Sequence, residues 1–129
     1  MDRIKQTIKT TSYVSNIDID LIMGRCRERE LVDARRMVFS ICRDLFHIPY
    51  SHIAKYFKLN HATIIHHYRK HEHILRYDRV YEERYKAILE LVKADFGYVE
   101  AQELINEIMS IRKRTLEQQT RIREQINNL

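Results

Sequence analysis

The sequence predicts an all-α fold, and three observations carry that expectation. Its 129 residues include one proline, Pro49, and only two glycines, Gly24 and Gly97, so little interrupts a helix. Apolar residues make up 44% of the chain and recur at three- and four-residue intervals, the period of one helix face. A chain of this length can also enclose one modest core.

In chain order, Ile4 and Ile8 stand at helical spacing, Thr10-Thr11-Ser12 reads as a break, and Asp18 to Ile22 reads as a short turn of helix. Two small helices are therefore expected at the start. From Gly24 to Glu30 the arginines Arg25, Arg27 and Arg29 alternate with other residues, and Cys26 is the only apolar one; this predicts an exposed basic loop. Ala34, Val38, Ile41 and Leu45, flanked by Met37 and Cys42, form the stripe of a helix over Leu31–Phe46. Pro49 ends that run because it fixes φ and lacks an amide hydrogen. A short helix, Tyr50–Phe57, follows with Ile53, Ala54 and Phe57 on one side, then the turn Lys58-Leu59-Asn60, in which Asn60 suits the cap of the next helix.

On that next helix, a 100° wheel gathers Ile64, Ile65, Tyr68 and Leu75 on one arc and Ala62, Thr63, His66, Lys70 and His73 on the other. The first arc is a core face; the second is free to meet a partner. From about Ile74 onward the pattern predicts two long helices meeting near Phe96-Gly97-Tyr98. The first carries Ile74, Tyr77, Tyr81, Tyr85, Ile88 and Val92 as a packing stripe. The second carries Ala101, Leu104, Ile108, Ile111, Thr115, Gln118, Ile122 and Leu129 at coiled-coil spacing. Either an antiparallel hairpin or a coiled-coil dimer seam would satisfy it. The expected division is thus 1–75 for a helix-turn-helix domain and 76–129 for a helical extension.

Charge is concentrated in the middle. Residues 25–76 hold eleven Lys/Arg against five Asp/Glu, a local +6, whereas the whole chain is +5. All seven histidines lie between His47 and His73, so their protonation below neutral pH is expected to strengthen the same patch. A basic loop ahead of a helix-turn-helix is a layout for phosphates and base edges, with methyl groups on Ala62 and Thr63 for thymine and a hydrogen-bonding edge on His66. Cys26 and Cys42 read as reduced thiols, in keeping with a soluble, cytoplasmic protein, and no apolar run reaches the ~20 residues that span a bilayer.

The stretch Arg25 to Met37, with its phrase Leu31-Val32-Asp33-Ala34-Arg35-Arg36, and the later Asn60-His61-Ala62-Thr63-Ile64-Ile65-His66 together resemble the C-terminal DNA-binding domain of DnaA, the bacterial chromosomal replication initiator. The resemblance covers roughly residues 1–75. It implies that Arg27 enters the minor groove, that Arg43 reaches a guanine edge, and that Asn60, His61, Ala62 and Thr63 read bases and phosphates. It also implies phosphate contacts from Arg35 and Arg36. Arg25, Arg29, His66, Arg69 and Lys70 complete the expected DNA-binding set. Three departures stand out: Asn60 replaces the family's acidic residue, Ala62 replaces a threonine, and the turn is one residue shorter and lacks glycine.

The expected function is therefore sequence-specific binding of double-stranded DNA in replication initiation or its regulation, on the cytoplasmic nucleoid. A Gly-x-x-x-x-Gly-Lys-Ser/Thr loop for nucleotide phosphates is absent from the sequence, and an ATPase motor is not expected. Neither is an enzyme, a cofactor or a metal: His67 and His71 stand at i and i+4, but no third ligand follows. Residues 99–129 are expected to mediate homodimerisation or to hold a protein partner, and no membrane is involved. Two alternatives remain, a helical adaptor whose basic region is incidental and a transcription regulator with an unrelated site.

Overall fold

The structure, a computed structural model, describes residues 2–128, with the side chains of 98–104 outside the description. Six helices follow one another: α1 (Arg3–Ser15), α2 (Ile19–Met23), α3 (Arg29–Asp44), α4 (Tyr50–Phe57), α5 (His61–Tyr77) and α6 (Arg79–Asn127). There is no strand among the described residues, so the fold is all-α as expected. Two compact units divide the chain, Met1–Val92 and Lys93–Leu129.

Asp2 starts α1 by accepting the amides of Ile4 and Lys5 at 3.0 and 3.2 Å, which satisfies two of the amides a helix start leaves orphaned. The break expected at Thr10-Thr11-Ser12 does not occur. Thr7, Thr10 and Thr11 turn their hydroxyls back onto the carbonyls of Arg3, Gln6 and Thr7, so the threonines keep the helical ladder instead of competing with it. The turn comes at Asn16, which takes the left-handed conformation at φ 53°.

The centre of the first unit is α3. Ten of its sixteen residues are buried, more than one apolar stripe requires, because α1, α2, α4 and α5 all pack against it. Phe39 is fully enclosed and meets Phe57 of α4 edge-on at 4.9 Å, a geometry that suits the ring quadrupoles. Ile22, Val38, Cys42, Ile53 and Ile64 complete the apolar centre, each such side chain contributing roughly 1.5–3 kcal/mol by leaving water.

Beyond Phe57 the sequence and the structure diverge twice. Asp78 ends α5 and starts α6, its Oδ1 accepting from the Tyr81 amide at 3.1 Å; the sequence pattern had run one helix through this point. No turn interrupts the chain at Phe96-Gly97-Tyr98, where two helices were expected to meet. A single helix of 49 residues passes through it. Glycine ends a helix by taking positive φ, and neither glycine does so here; with no proline after Pro49, nothing breaks the ladder. The tyrosine stripe packs as expected at Tyr81 and Tyr85, continued by Ile88 and Val92, whereas Tyr77 is exposed.

A Cβ built at Gly97 meets nothing within 4 Å. Gly97→Ala should therefore stabilise α6 by about 0.5–1 kcal/mol, read as a higher or broader helical transition in circular dichroism melts. A loss of helical signal would show that a turn is needed there.

Candidate nucleic-acid interface

The basic loop spans 25–28, between α2 and α3, and is exposed throughout. A buried side chain holds it in place. Arg35, 7% exposed, donates from Nε to the Ile22 carbonyl at 2.8 Å, from Nη2 to Leu21 at 2.9 Å and from Nη1 to Cys26 at 2.6 Å. Two of those carbonyls end α2 and the third lies in the loop, so one guanidinium closes a short helix and fixes the first turn of the loop.

Arg36, 6% exposed, lies inside as well. Its Nη1 donates to Asp33 at 2.9 Å and its Nη2 faces His67 Nδ1 at 3.3 Å. Arg35 and Arg36 were expected at phosphates, and this is a correction: both are buried on the inner side of α3, where Arg35 meets carbonyls and Arg36 meets Asp33 and His67 while its Nε has no hydrogen-bond partner among the described residues. Asp33, drawn to Arg36 and more weakly to Arg29 at 3.9 Å, nonetheless has its carboxyl pushed up from the usual range, because burial outweighs the two cations.

The loop is tied to the helix-turn-helix by Arg25, whose Nη2 donates to the Lys58 carbonyl at 3.3 Å. Lys58 closes α4 in the left-handed conformation at φ 56°, a backbone state that the family's glycines would reach at no steric cost. Leu59 returns its amide to Ala54 at 2.8 Å. Asn60 then caps α5, its Oδ1 accepting from the Ala62 amide at 2.9 Å. These contacts bring the basic loop and the first turn of α5 together.

On α5, Ile64 and His71 are buried, His67 and Tyr68 are half-buried, and His61, Ala62, His66, Arg69, Lys70 and His73 are exposed, with Thr63 between. The outward arc is close to the one the wheel predicted, and the inward arc gains His71. Among the described residues, Arg27, Arg69 and Lys70 make no hydrogen bond or ion pair. Arg29 is 81% exposed but is held by Asp78 at 3.0 Å. Arg43 is half-buried, its guanidinium 4.5 Å from the centroid of the Tyr50 ring, and Tyr50 in turn meets Tyr68 edge-on, whose hydroxyl donates to Asp44.

Sequence reasoning missed Ser51 and Lys55 of α4, which line one open depression of about 340 Å³ with Asn60 and His61. Their signal was topological: the first helix of a helix-turn-helix crosses the sugar-phosphate backbone, and the exposed face of α4 carries Ser51 and Lys55 one turn apart.

Two histidines leave the basic patch altogether. His67 faces a guanidinium that can only donate, so its Nδ1 accepts and the ring is neutral; burial first, then Arg36, pulls its pKa down to about 4. His71 is 2% exposed, faces the Tyr81 hydroxyl at 2.6 Å through Nδ1 and lies 4.4 Å from Tyr85, ring centroid to centroid. Burial lowers its pKa to about 4. The expectation that all seven histidines reinforce the patch in mild acid fails for these two.

The sequence pattern defining the bacterial DnaA protein helix-turn-helix matches residues 4–70. The match includes the basic loop, α3, the turn and the exposed first half of α5.

Because His67 and His71 take up protons in the unfolded chain near pH 6.5 but in the folded one only near 4, stability is full above pH 6.5 and falls as the pH drops toward 4. Urea titrations at pH 7.5 and 4.5 should differ by at least about 2 kcal/mol, since each tenfold change in proton affinity is worth about 1.4 kcal/mol. Equal stability at the two values would mean that these rings are not held neutral.

Proposed function

The chain belongs to the bacterial DnaA helix-turn-helix family, and from that premise we propose that it reads specific sites in double-stranded DNA. In this reading the exposed N-terminal half of α5 enters the major groove while the 25–28 loop meets the adjacent minor groove. The observation that carries it is the Arg25–Lys58 contact, which tethers the basic loop to the turn preceding α5, so that one surface offers cations and base-edge donors together. Arg27 is the minor-groove residue: it is exposed and its five donors are uncommitted among the described residues. His61, Ala62, Thr63 and His66 face bases, and Lys55, Arg69 and Lys70 face phosphates, whose neutralisation supplies salt-dependent affinity. Arg35 and Arg36 act through the fold, and the ion-paired Arg29 and ring-stacked Arg43 stand outside the base-reading set.

The biological role that follows is in replication initiation or its regulation, exerted where the chromosome lies. With no phosphate-cradling loop in its sequence, the chain acts through occupancy of its sites and not through a nucleotide-driven change. No helix among the described residues is long and apolar enough to cross a membrane.

A second copy of the chain is the proposed partner of the 93–129 unit. Ile105, Ile108, Met109, Ile111, Leu116, Ile122 and Ile126 are all exposed there, and Ile108, Ile111 and Ile122 share one seam with Thr115 and Gln118. The same heptad sets Glu107 and Arg112 at the flanking positions that pair between parallel helices. Two reading units would then act at one locus, multiplying a modest affinity.

Arg27→Ala and His61→Ala should each weaken specific binding by about 1–3 kcal/mol with the circular dichroism melt unchanged, whereas Arg35→Ala should lower the melt itself, taking the buried donor from the Ile22 and Cys26 carbonyls. Anisotropy titrations on a selected duplex, paired with melts, separate the two classes. Unaltered affinity in both surface variants would sink the assignment. For assembly, sedimentation of the full chain should give a dimer that Ile108→Glu with Ile111→Glu converts to monomer; a monomeric parent chain would eliminate the second copy.

A further inference from the structure

We propose that the second copy lies antiparallel along the 93–129 unit, with Ile108 of each chain set against Ile111 of the other. This rests on the self-association proposed above and adds the direction and register of the two helices. Ile108 and Ile111 are 57% and 49% exposed, and as an apolar pair they serve a parallel or an antiparallel seam equally well. What lies on either side of them makes the choice.

Charge decides first. Residues 93–111 hold Lys93 against Asp95, Glu100, Glu103 and Glu107, a balance of −3, whereas residues 112–129 hold five Lys/Arg against Glu117 and Glu124, a balance of +3. The unit is neutral as a whole and polarised along its length. Parallel packing would lay acidic half on acidic half and basic half on basic half, and like charges brought together across an interface suppress that pairing. Antiparallel packing lays each half on its opposite. Local ion pairs at the flanks do not discriminate, since Glu107 meets Arg112 of a parallel copy and Arg114 of an antiparallel one; the halves as a whole do.

Size gives the same answer independently of charge. Continued at heptad spacing toward the start of the unit, the seam reaches exposed Ala94 and Gly97, and toward its end it reaches exposed Ile122 and Gln125. In the register centred on Ile108 and Ile111, Gly97 faces Ile122 of the second copy and Ala94 faces its Gln125, small against large, the way facing layers fill space. Parallel helices would set Gly97 on Gly97 and Ala94 on Ala94, a gap whose walls lose their packing contacts. The antiparallel register also carries the pairing to both ends of the unit. The two chains then enter the seam from opposite ends, roughly 55 Å apart at 1.5 Å per residue.

Disulfide trapping reads the direction. In full-length protein carrying Cys26→Ser, with the buried Cys42 left in place, one variant adds Gly97→Cys, where a Cβ meets nothing within 4 Å, and a second, tagged for mass, adds Ile122→Cys. Each variant alone and the two mixed are equilibrated in a glutathione redox buffer and their disulfides are resolved by mass, while circular dichroism verifies that both stay helical and sedimentation gives the mass of the Cys26→Ser parent. The expected result is a mixed 97–122 disulfide exceeding either homodisulfide by at least about tenfold. Homodisulfides that match or exceed the mixed product overturn the antiparallel direction and leave the second copy in place. A dimer in sedimentation that forms no disulfide in any mixture overturns the register. A monomer in sedimentation eliminates the second copy, and this inference with it.

Discussion

A buried guanidinium without a carboxylate organises the interface. Taking a cation out of water costs several kcal/mol unless its donors are met, and Arg35 meets the demand with three main-chain carbonyls, those of Leu21, Ile22 and Cys26. The exchange is mutual. A helix of five residues such as α2 has no stability of its own and ends in carbonyls lacking partners, which the arginine supplies. The chain leaving α2 must then pass close to α3 at Cys26, so the loop carrying Arg27 begins at a fixed point. Arg25 adds the second point at Lys58.

Much of the fold was legible because its signals are local. Pro49 marked the break between α3 and α4, where it stands at the N-cap of α4 while α3 itself ends at Asp44; Asn60 marked the cap of α5, and the 3–4 spacing of Ile53, Ala54 and Phe57 marked the inner face of α4, as found. Threonine misled because its hydroxyl can either compete with a helix or join it, and only the presence of a carbonyl one turn back decides. Gly97 misled for a related reason: glycine permits a turn without imposing one, and the deciding φ is not written in the sequence. The site was legible as a region and not as a set of side chains. Eight arginines and lysines look alike from Arg25 to Arg43 and at Lys55 and Lys58, yet Arg35 and Arg36 face inward because α3 is covered on nearly every side, a property of tertiary packing.

The histidines make the same point about charge. A count of ionisable residues suggested one continuous patch, but His67 and His71 lie on the inner arc of α5 and are neutral, held so by burial and, for His67, by Arg36. Their role is structural. His67 tilts against Phe39 at 5.6 Å and meets the guanidinium of Arg36, while His71 joins α5 to the start of α6 through Tyr81 and Tyr85. Positive charge is left to the loop, to Lys55 and Lys58 and to the outward arc of α5, a narrower surface than the sequence implied and one better matched to a groove.

These contacts fix α5 at both ends. At its start, Arg25 grips the turn and Asn60 caps the Ala62 amide. At its end, Asp78 accepts from Arg29 of α3 with one oxygen and from the Tyr81 amide with the other, and His71 is locked against Tyr81. In the middle, Ile64 is buried and the half-buried His67 and Tyr68 meet Arg36 and Asp44. In the proposed DNA-reading role, a helix held in this way would spend little conformational entropy on docking. Asn60 belongs to the same framework, since its cap on the Ala62 amide is one of the contacts that hold the start of the helix.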